Sequence, residues 1–259
     1  MSTDGLLDGF SFGGRHSMDD MELYTVLKSK PLFAEPKTAF DEIGGMDGEL
    51  DYSRTNPKKR LFFRPRLIEY ECHFIGEDGD MESLAAKERE IAQWLVGAGR
   101  ARLICDDEPD VFYLAAAVNL FNVEAVTRES GTFPLVFRCD PYRYALREVR
   151  QSADIAGSGA VRTVNRGYYA PPVITITGDA PDGVTLTLGN AQLSTTQGIT
   201  GAGALEFDMH TMMIKKDGVP VNHTASGVFF EFSPGENNLA VTGNNLDAQV
   251  TVCYRPRYL

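Results

Sequence analysis

Nucleophiles, metal ligands and proton carriers are present in this chain, but none stands at a spacing that spells chemistry. Cysteines 72, 105, 139 and 253 are far apart, with no C-x-x-C pair and no histidine at a ligand spacing, so neither a zinc site nor a dithiol couple is encoded. The four histidines, His16, His73, His210 and His223, are scattered. His16 adjoins Ser17, yet a base and a nucleophile work by spatial geometry that adjacency does not supply, and the pair is expected in a flexible N-terminal segment. Asp106, Asp107, Glu108 and Asp110 could offer oxygens to Ca²⁺, but the EF-hand spacing and its glycine are missing, and a solvated hairpin tip is expected instead. Lys58, Lys59, Arg60, Arg64 and Arg66 interleave with Leu61, Phe62 and Phe63, a mixture that could hold single-stranded nucleic acid.

A phosphate-binding G-x-x-x-x-G-K-[ST] loop, a G-x-S-x-G elbow and an H-E-x-x-H pair are all absent from the sequence. Gly201-Ala202-Gly203 lacks the third glycine of a dinucleotide fingerprint and has no helix signal after it. No pattern argues for the paired carboxylates of glycoside hydrolysis. The sequence therefore assigns no catalytic, cofactor-binding or metal-ligating residue, implies no cofactor, and is not read as an enzyme.

Composition bounds the rest. The 259 residues hold 36 acidic and 25 basic side chains, net −11, the opposite of what phosphate neutralisation requires. The basic stretch at 58–66 is accordingly read as an edge or interface strand whose cations prevent wrong pairing or meet acidic groups on a partner. Charge is concentrated early: residues 1–150 hold 27 acidic and 19 basic side chains, residues 151–259 only 9 and 6. Thr rises from 6 to 12 across the same division, and Asn from 3 to 7, as polar strand faces and turns demand. Two domains meeting near residue 150 are expected, at ~100–200 residues per domain. The N-terminus carries no leader-like run and no stretch approaches the ~18 apolar residues of a membrane span, so folding in a cytoplasm is expected and the Asn222-His223-Thr224 sequon carries no meaning.

Periodicity supplies the elements. From Leu67 to Ile75, Ile68, Tyr70, Cys72 and Phe74 fall on one face of a half-buried strand. From Met81 to Val96, Leu84, Ile91, Trp94 and Leu95 form a helical stripe with Asp80 as candidate N-cap, and Gly97 and Gly99 end the run. Trp94, the sole tryptophan, is expected to anchor this helix to a sheet. Further strands are expected at Ala101–Cys105, Val111–Val118, Asn122–Thr127 and Phe133–Arg138, making the first domain α+β. The opening 60 residues are punctuated by Pro31, Pro36, Pro57 and glycine pairs, and an excursion such as Pro31 to Leu50 suggests an arm. Beyond Pro141 short alternating runs predominate, Asp217-Gly218 marks a hairpin, and Gly157-Ser158-Gly159 reads as a linker or loop; this half is expected to be an all-β sandwich.

Several pieces taken in order resemble one known family. Phe10-Ser-Phe-Gly-Gly-Arg-His-Ser17, Ile43-Gly-Gly-Met-Asp-Gly-Glu-Leu-Asp51, the helix ending in Trp94-Leu95, Asp106–Tyr113, Phe133–Tyr142, Phe232–Leu239 and Val250–Tyr258 are similar to segments of the distal tail proteins of long, flexible-tailed bacteriophages. Asp20-Met21-Glu22 departs where that family commonly has a Phe-Gly pair, and Gly44 where it usually has Pro. The resemblance implies a mainly β structural hub in the tail-tip baseplate of a phage or prophage: residues 1–150 as an α+β ring-forming domain with an arm or belt, residues 151–259 as a galectin-like β-sandwich used for attachment. It implies a homo-hexamer capping the tail tube, with tail tube protein, tape-measure or tail-tip protein, and receptor-binding or fibre proteins as partners, and with neither membrane nor specific nucleic acid. A ring of acidic protein suits a lumen that DNA crosses without sticking. The alternative is a module recognising host-surface glycans. Galectins use a His-x-Asn-Pro-Arg segment and a stacking Trp; residues 151–259 contain no Trp, and His223 is followed by Thr224-Ala225, leaving Tyr168 or Tyr169 as the aromatic faces for a sugar.

Overall fold

The computed structural model describes residues 8–45, 47–75, 81–119, 124–125 and 130–259. The chain divides into two compact units, 1–143 together with Leu259, and 144–258. It is mainly β, with one α-helix among the described residues.

In the first unit an antiparallel sheet runs in the order Arg15–His16, Phe10–Phe12, Ala101–Cys105, Val111–Ala117, Ser130–Cys139, Arg66–Ile75, Tyr24–Ser29. The longest pairing joins 66–75 to 130–139 over ten residues, Arg66 opposite Cys139 and Ile75 opposite Ser130. Alternation decides which face is inside: Ile68, Tyr70, Cys72 and Phe74 are buried, as are Phe133, Leu135, Phe137 and Cys139 across from them. The helix Met81–Gly97 covers this face, burying Leu84, Ile91, Trp94 and Leu95. Trp94 stacks on Phe10 with centroids 5.8 Å apart and donates its indole N–H to the Phe12 carbonyl at 2.9 Å, so its polar atom is satisfied inside the core. Asp80 lies outside the described residues, as does most of the 122–127 segment, of which Glu124–Ala125 pair with Gly131 and Thr132.

The second unit is all β. Its order is Val219–Pro220, Met213–Lys216, Ala204–Asp208, Val173–Asp179, Gly235–Tyr254, Val184–Leu188, Ala191–Thr195, Ala225–Gly227, with Val149–Asn165 on the other side of Gly235–Tyr254. Two strands are far longer than the short runs expected: 17 residues at 149–165 and 20 at 235–254. The C-terminal half of 235–254 pairs with 173–179, and its N-terminal half with 184–188, so both layers of the sandwich share these two strands. The fold-over sits where the register breaks between Ala156 and Ser158, opposite Gly243–Leu246. The buried apolar positions of 235–254 are odd before it (239, 241) and even after it (246 to 254). Gly157-Ser158-Gly159 is thus the crease of a continuous strand, not a linker, and Gly157 takes φ +70°, which a glycine adopts without steric cost. Leu186, Leu193 and Val241 of one layer belong to one core with Ile174, Leu205 and Val250 of the other. The Asp217-Gly218 hairpin forms as expected, with positive φ at both residues.

Candidate functional site

Between Ser29 and Arg66 the chain leaves the first unit's sheet as an arm. Pro36–Lys37 pairs with Phe62–Phe63, and beyond it Phe40–Glu42 pairs with Glu49–Asp51, making a two-tier β excursion. Gly45 and Gly48 near its tip take φ of +87° and +81°, so the turn depends on residues without a Cβ. Ser53 donates to Asp51 from its backbone N–H at 2.8 Å, and Ser53 hydrogen bonding holds that carboxyl below the usual carboxylate range. Phe63 packs edge-on to Tyr142 at 6.3 Å, fixing the base.

The arm contributes nothing to the unit's hydrophobic core; among its described apolar side chains Ala34 alone is buried. Leu32 (78% exposed), Phe33 (61%), Phe40, Ile43, Tyr52 and Phe62 all face solvent, six of the sixteen exposed large hydrophobics among the described residues. Such a concentration of apolar surface on one segment makes the arm the candidate interaction surface of this unit. Its charge is bipolar. Residues 38–53 carry Asp41, Glu42, Asp47, Glu49 and Asp51 and no cation, whereas 54–66 carry Arg54, Lys58, Lys59, Arg60, Arg64 and Arg66 and no acid.

The structure disperses the residues singled out by type. Arg66 is buried under the arm, Arg64 lies 3.5 Å from Glu35, and Phe62–Phe63 form a strand edge, so 58–66 does not present one continuous basic-aromatic face. His16 ends the edge strand Arg15–His16 and Ser17 opens the turn after it, rather than the two lying in a flexible segment. Ser17 is buried and its Oγ accepts the Phe10 N–H at 3.1 Å, while His16 Nε2 lies 3.1 Å from an Asp106 carboxylate oxygen. Two further acids of the 106–110 turn meet cations: Asp107 pairs with Lys30, and Glu108 Oε1 accepts from Arg143 at 3.0 Å. His73, His210 and His223 are exposed on three separate elements. Cys72, Cys105 and Cys139 are buried, and burial pushes their thiols up, that of Cys105 to about 11; Cys253 is half-buried. Lys30, Arg143 and the apolar pair Leu32-Phe33 drew no attention as sequence. The one available signal was two large apolar residues directly after Pro31, where no alternation places them inside.

In the second unit Tyr168 and Tyr169 are half-buried and pack edge-on to each other at 5.1 Å, with the Tyr168 N–H donated to the Arg257 carbonyl at 2.6 Å. Three surface grooves are lined by Thr187, Glu231, Asn237 and neighbours, by Asp182, Thr185, Thr242 and neighbours, and by Gln151, Arg162, Arg166 and neighbours; no aromatic ring lines any of them.

Residues 20–139 match the family model of the phage tail protein RIFT-related domain, and residues 167–258 that of the Siphovirus-type tail component, C-terminal domain. Among solved structures, the SPP1 Dit protein, described as a paradigm of the hub adsorption apparatus in phages infecting Gram-positive bacteria, superposes with a TM-score of 0.75 at 15% identity, covering 97% of this chain and 99% of that one. A chain of the phage p2 baseplate in its activated conformation superposes with a TM-score of 0.51 at 8% identity, covering 95% and 97%. No curated protein sequence matches.

Proposed function

The chain belongs to the siphovirus distal tail protein family, a structural component of the phage tail, and from that premise we propose that it is the ring-forming hub at the distal end of a long tail. Six copies close through the 1–143 unit, and each arm lies on the next copy. The 144–258 unit is the platform on which tip, fibre or receptor-binding proteins dock, and the ring joins the tail tube and the tape-measure or tail-tip protein. Subunits assemble in the host cytoplasm and reside in the virion, with no enzymatic role.

One observation carries the reading: the arm's six exposed hydrophobics on a segment with almost no core of its own. Covering each is worth ~1 kcal/mol or more, estimated from the transfer free energy of partly exposed side chains. The charge order supports a head-to-tail contact, since a ring needs two different complementary patches on every subunit: the acids of 38–53 stand at the tip and the exposed cations Arg54, Lys58, Lys59 and Arg64 follow them. The net charge of −11 suits a conduit for DNA; a lumen lined mainly by Lys and Arg in the assembled ring would contradict that part. The groove linings of the second unit lend no support to glycan stacking.

The test is native mass measurement of the intact chain, alone and with tail tube protein, followed by negative-stain imaging. A closed ring of six is expected; a strict monomer at high concentration that stays monomeric on adding tube protein would overturn the proposal.

A further inference from the structure

The two roots of the arm meet one cluster of ionic side chains. At the exit, Lys30 pairs with Asp107 and lies 3.7 Å from Glu108. Arg143 donates from Nη1 to Glu108 at 3.0 Å and from Nη2 to the Leu32 carbonyl at 3.4 Å. At the return, Arg66 is 2% exposed and donates from Nη1 to the carbonyls of Pro31 at 3.2 Å and Leu32 at 3.4 Å, and from Nε to the Pro141 carbonyl at 3.0 Å; its guanidinium lies 5.9 Å from the Tyr113 ring centre. The Leu32 carbonyl therefore receives two guanidinium donors, Arg66 from the arm's return and Arg143 from the end of the 1–143 stretch.

A planar guanidinium fixes direction as well as distance, because its N–H groups diverge at set angles. Two of them on the Leu32 carbonyl hold the Leu32-Phe33 peptide, with Arg66 also on the Pro31 carbonyl, and so set the departure angle of everything outward to residue 65. An arm whose pose is set before docking loses less conformational freedom when it docks. We infer that Lys30, Arg66 and Arg143, with Asp107 and Glu108, form a positioning clasp that aims the arm at the neighbouring copy. The inference rests on the reading of the arm as the assembly surface, and it gives the acidic 106–110 turn and Arg66 a shared task.

The test uses the intact chain and two readouts, hydrogen exchange by residue and the concentration at which assembly occurs. Lys30→Glu sets a third carboxylate against Asp107 and Glu108. It is expected to speed exchange at Arg64, whose N–H is bonded to the Glu35 carbonyl at the root, leave Leu103 and Phe137 protected as in the parent, and weaken assembly by about tenfold or more, a loss of ~1.4 kcal/mol. The swapped pair Lys30→Glu with Asp107→Lys is expected to restore both readouts, which a merely destabilised sheet would not do. Faster root exchange with unchanged assembly overturns the clasp, as does failure of the swapped pair to restore assembly. If Lys30→Glu also exposes the core amides, Arg66→Lys, which keeps the charge and loses the fork, is read by the same criteria. Phe33→Ser with Phe40→Ser separates the two ideas. If that variant weakens assembly while the clasp variants do not, the clasp alone fails; if it has no effect, the reading of the arm fails.

Discussion

The 144–258 unit leaves its exposed large hydrophobics singly, at Leu146, Val164, Met212, Val219 and Val228, whereas the 1–143 unit gathers six on the one 36-residue arm between Ser29 and Arg66. The cause lies in how each closes its core. In the second unit two long strands fold over at Gly157 and serve both layers, so the sheet is its own lid. In the first a single helix lids one face and the polypeptide between Ser29 and Arg66 is left over, tied at its roots but covering nothing.

Changes on the two units should therefore differ in kind. The largest effect is expected from Leu32→Ser, Phe33→Ser, Phe40→Ser and Tyr52→Ser combined, which should leave a folded monomer at concentrations where the parent assembles. The same treatment of Val219 and Val228 should leave assembly intact. Light scattering distinguishes the two, and the reverse pattern would break the contrast. Next comes Trp94→Ala, which removes the stacked ring and the hydrogen bond to Phe12 and should cost the first unit ~3–5 kcal/mol, with the second unit's transition unmoved in a denaturant titration. Smaller is Gly157→Ala. No atom lies within 4 Å of the added Cβ, so the cost is the left-handed backbone alone, ~1–2 kcal/mol confined to the second unit. Last, burial raises the thiols of Cys72, Cys105 and Cys139, so the thiolate is scarce near pH 8 and those side chains are inaccessible. Half-buried Cys253, raised by burial and by Glu148, should still be alkylated first, as peptide mapping would show.

Where one face of an element is buried and the other wet, the sequence could be read directly. The stripe Leu84, Ile91, Trp94, Leu95 and the alternation Ile68 to Phe74 lie where periodicity put them, because burial selects residue types position by position. The crease was illegible for the same reason. A change of parity between Val241 and Leu246 looks like two strands and a loop, and Gly157-Ser158-Gly159 looks like punctuation, since only long-range pairing shows that the strand continues. The arm announced itself through its prolines and glycines, but the pairing of Pro36–Lys37 with Phe62–Phe63 and the meeting of Arg66 and Arg143 on the Leu32 carbonyl depend on contacts that no local pattern encodes. The acidic 106–110 turn shows the limit well: its residue types were plain, and the partners of Asp106, Asp107 and Glu108 were 35 to 90 positions away.

The most direct measurement is residue-resolved hydrogen exchange on the intact chain before and after assembly. Residues 36–63 are expected to gain strong protection on assembly while the exposed edge 149–165 exchanges as before. Protection appearing along 149–165 with the arm unchanged would contradict the claim that copies meet through the arm.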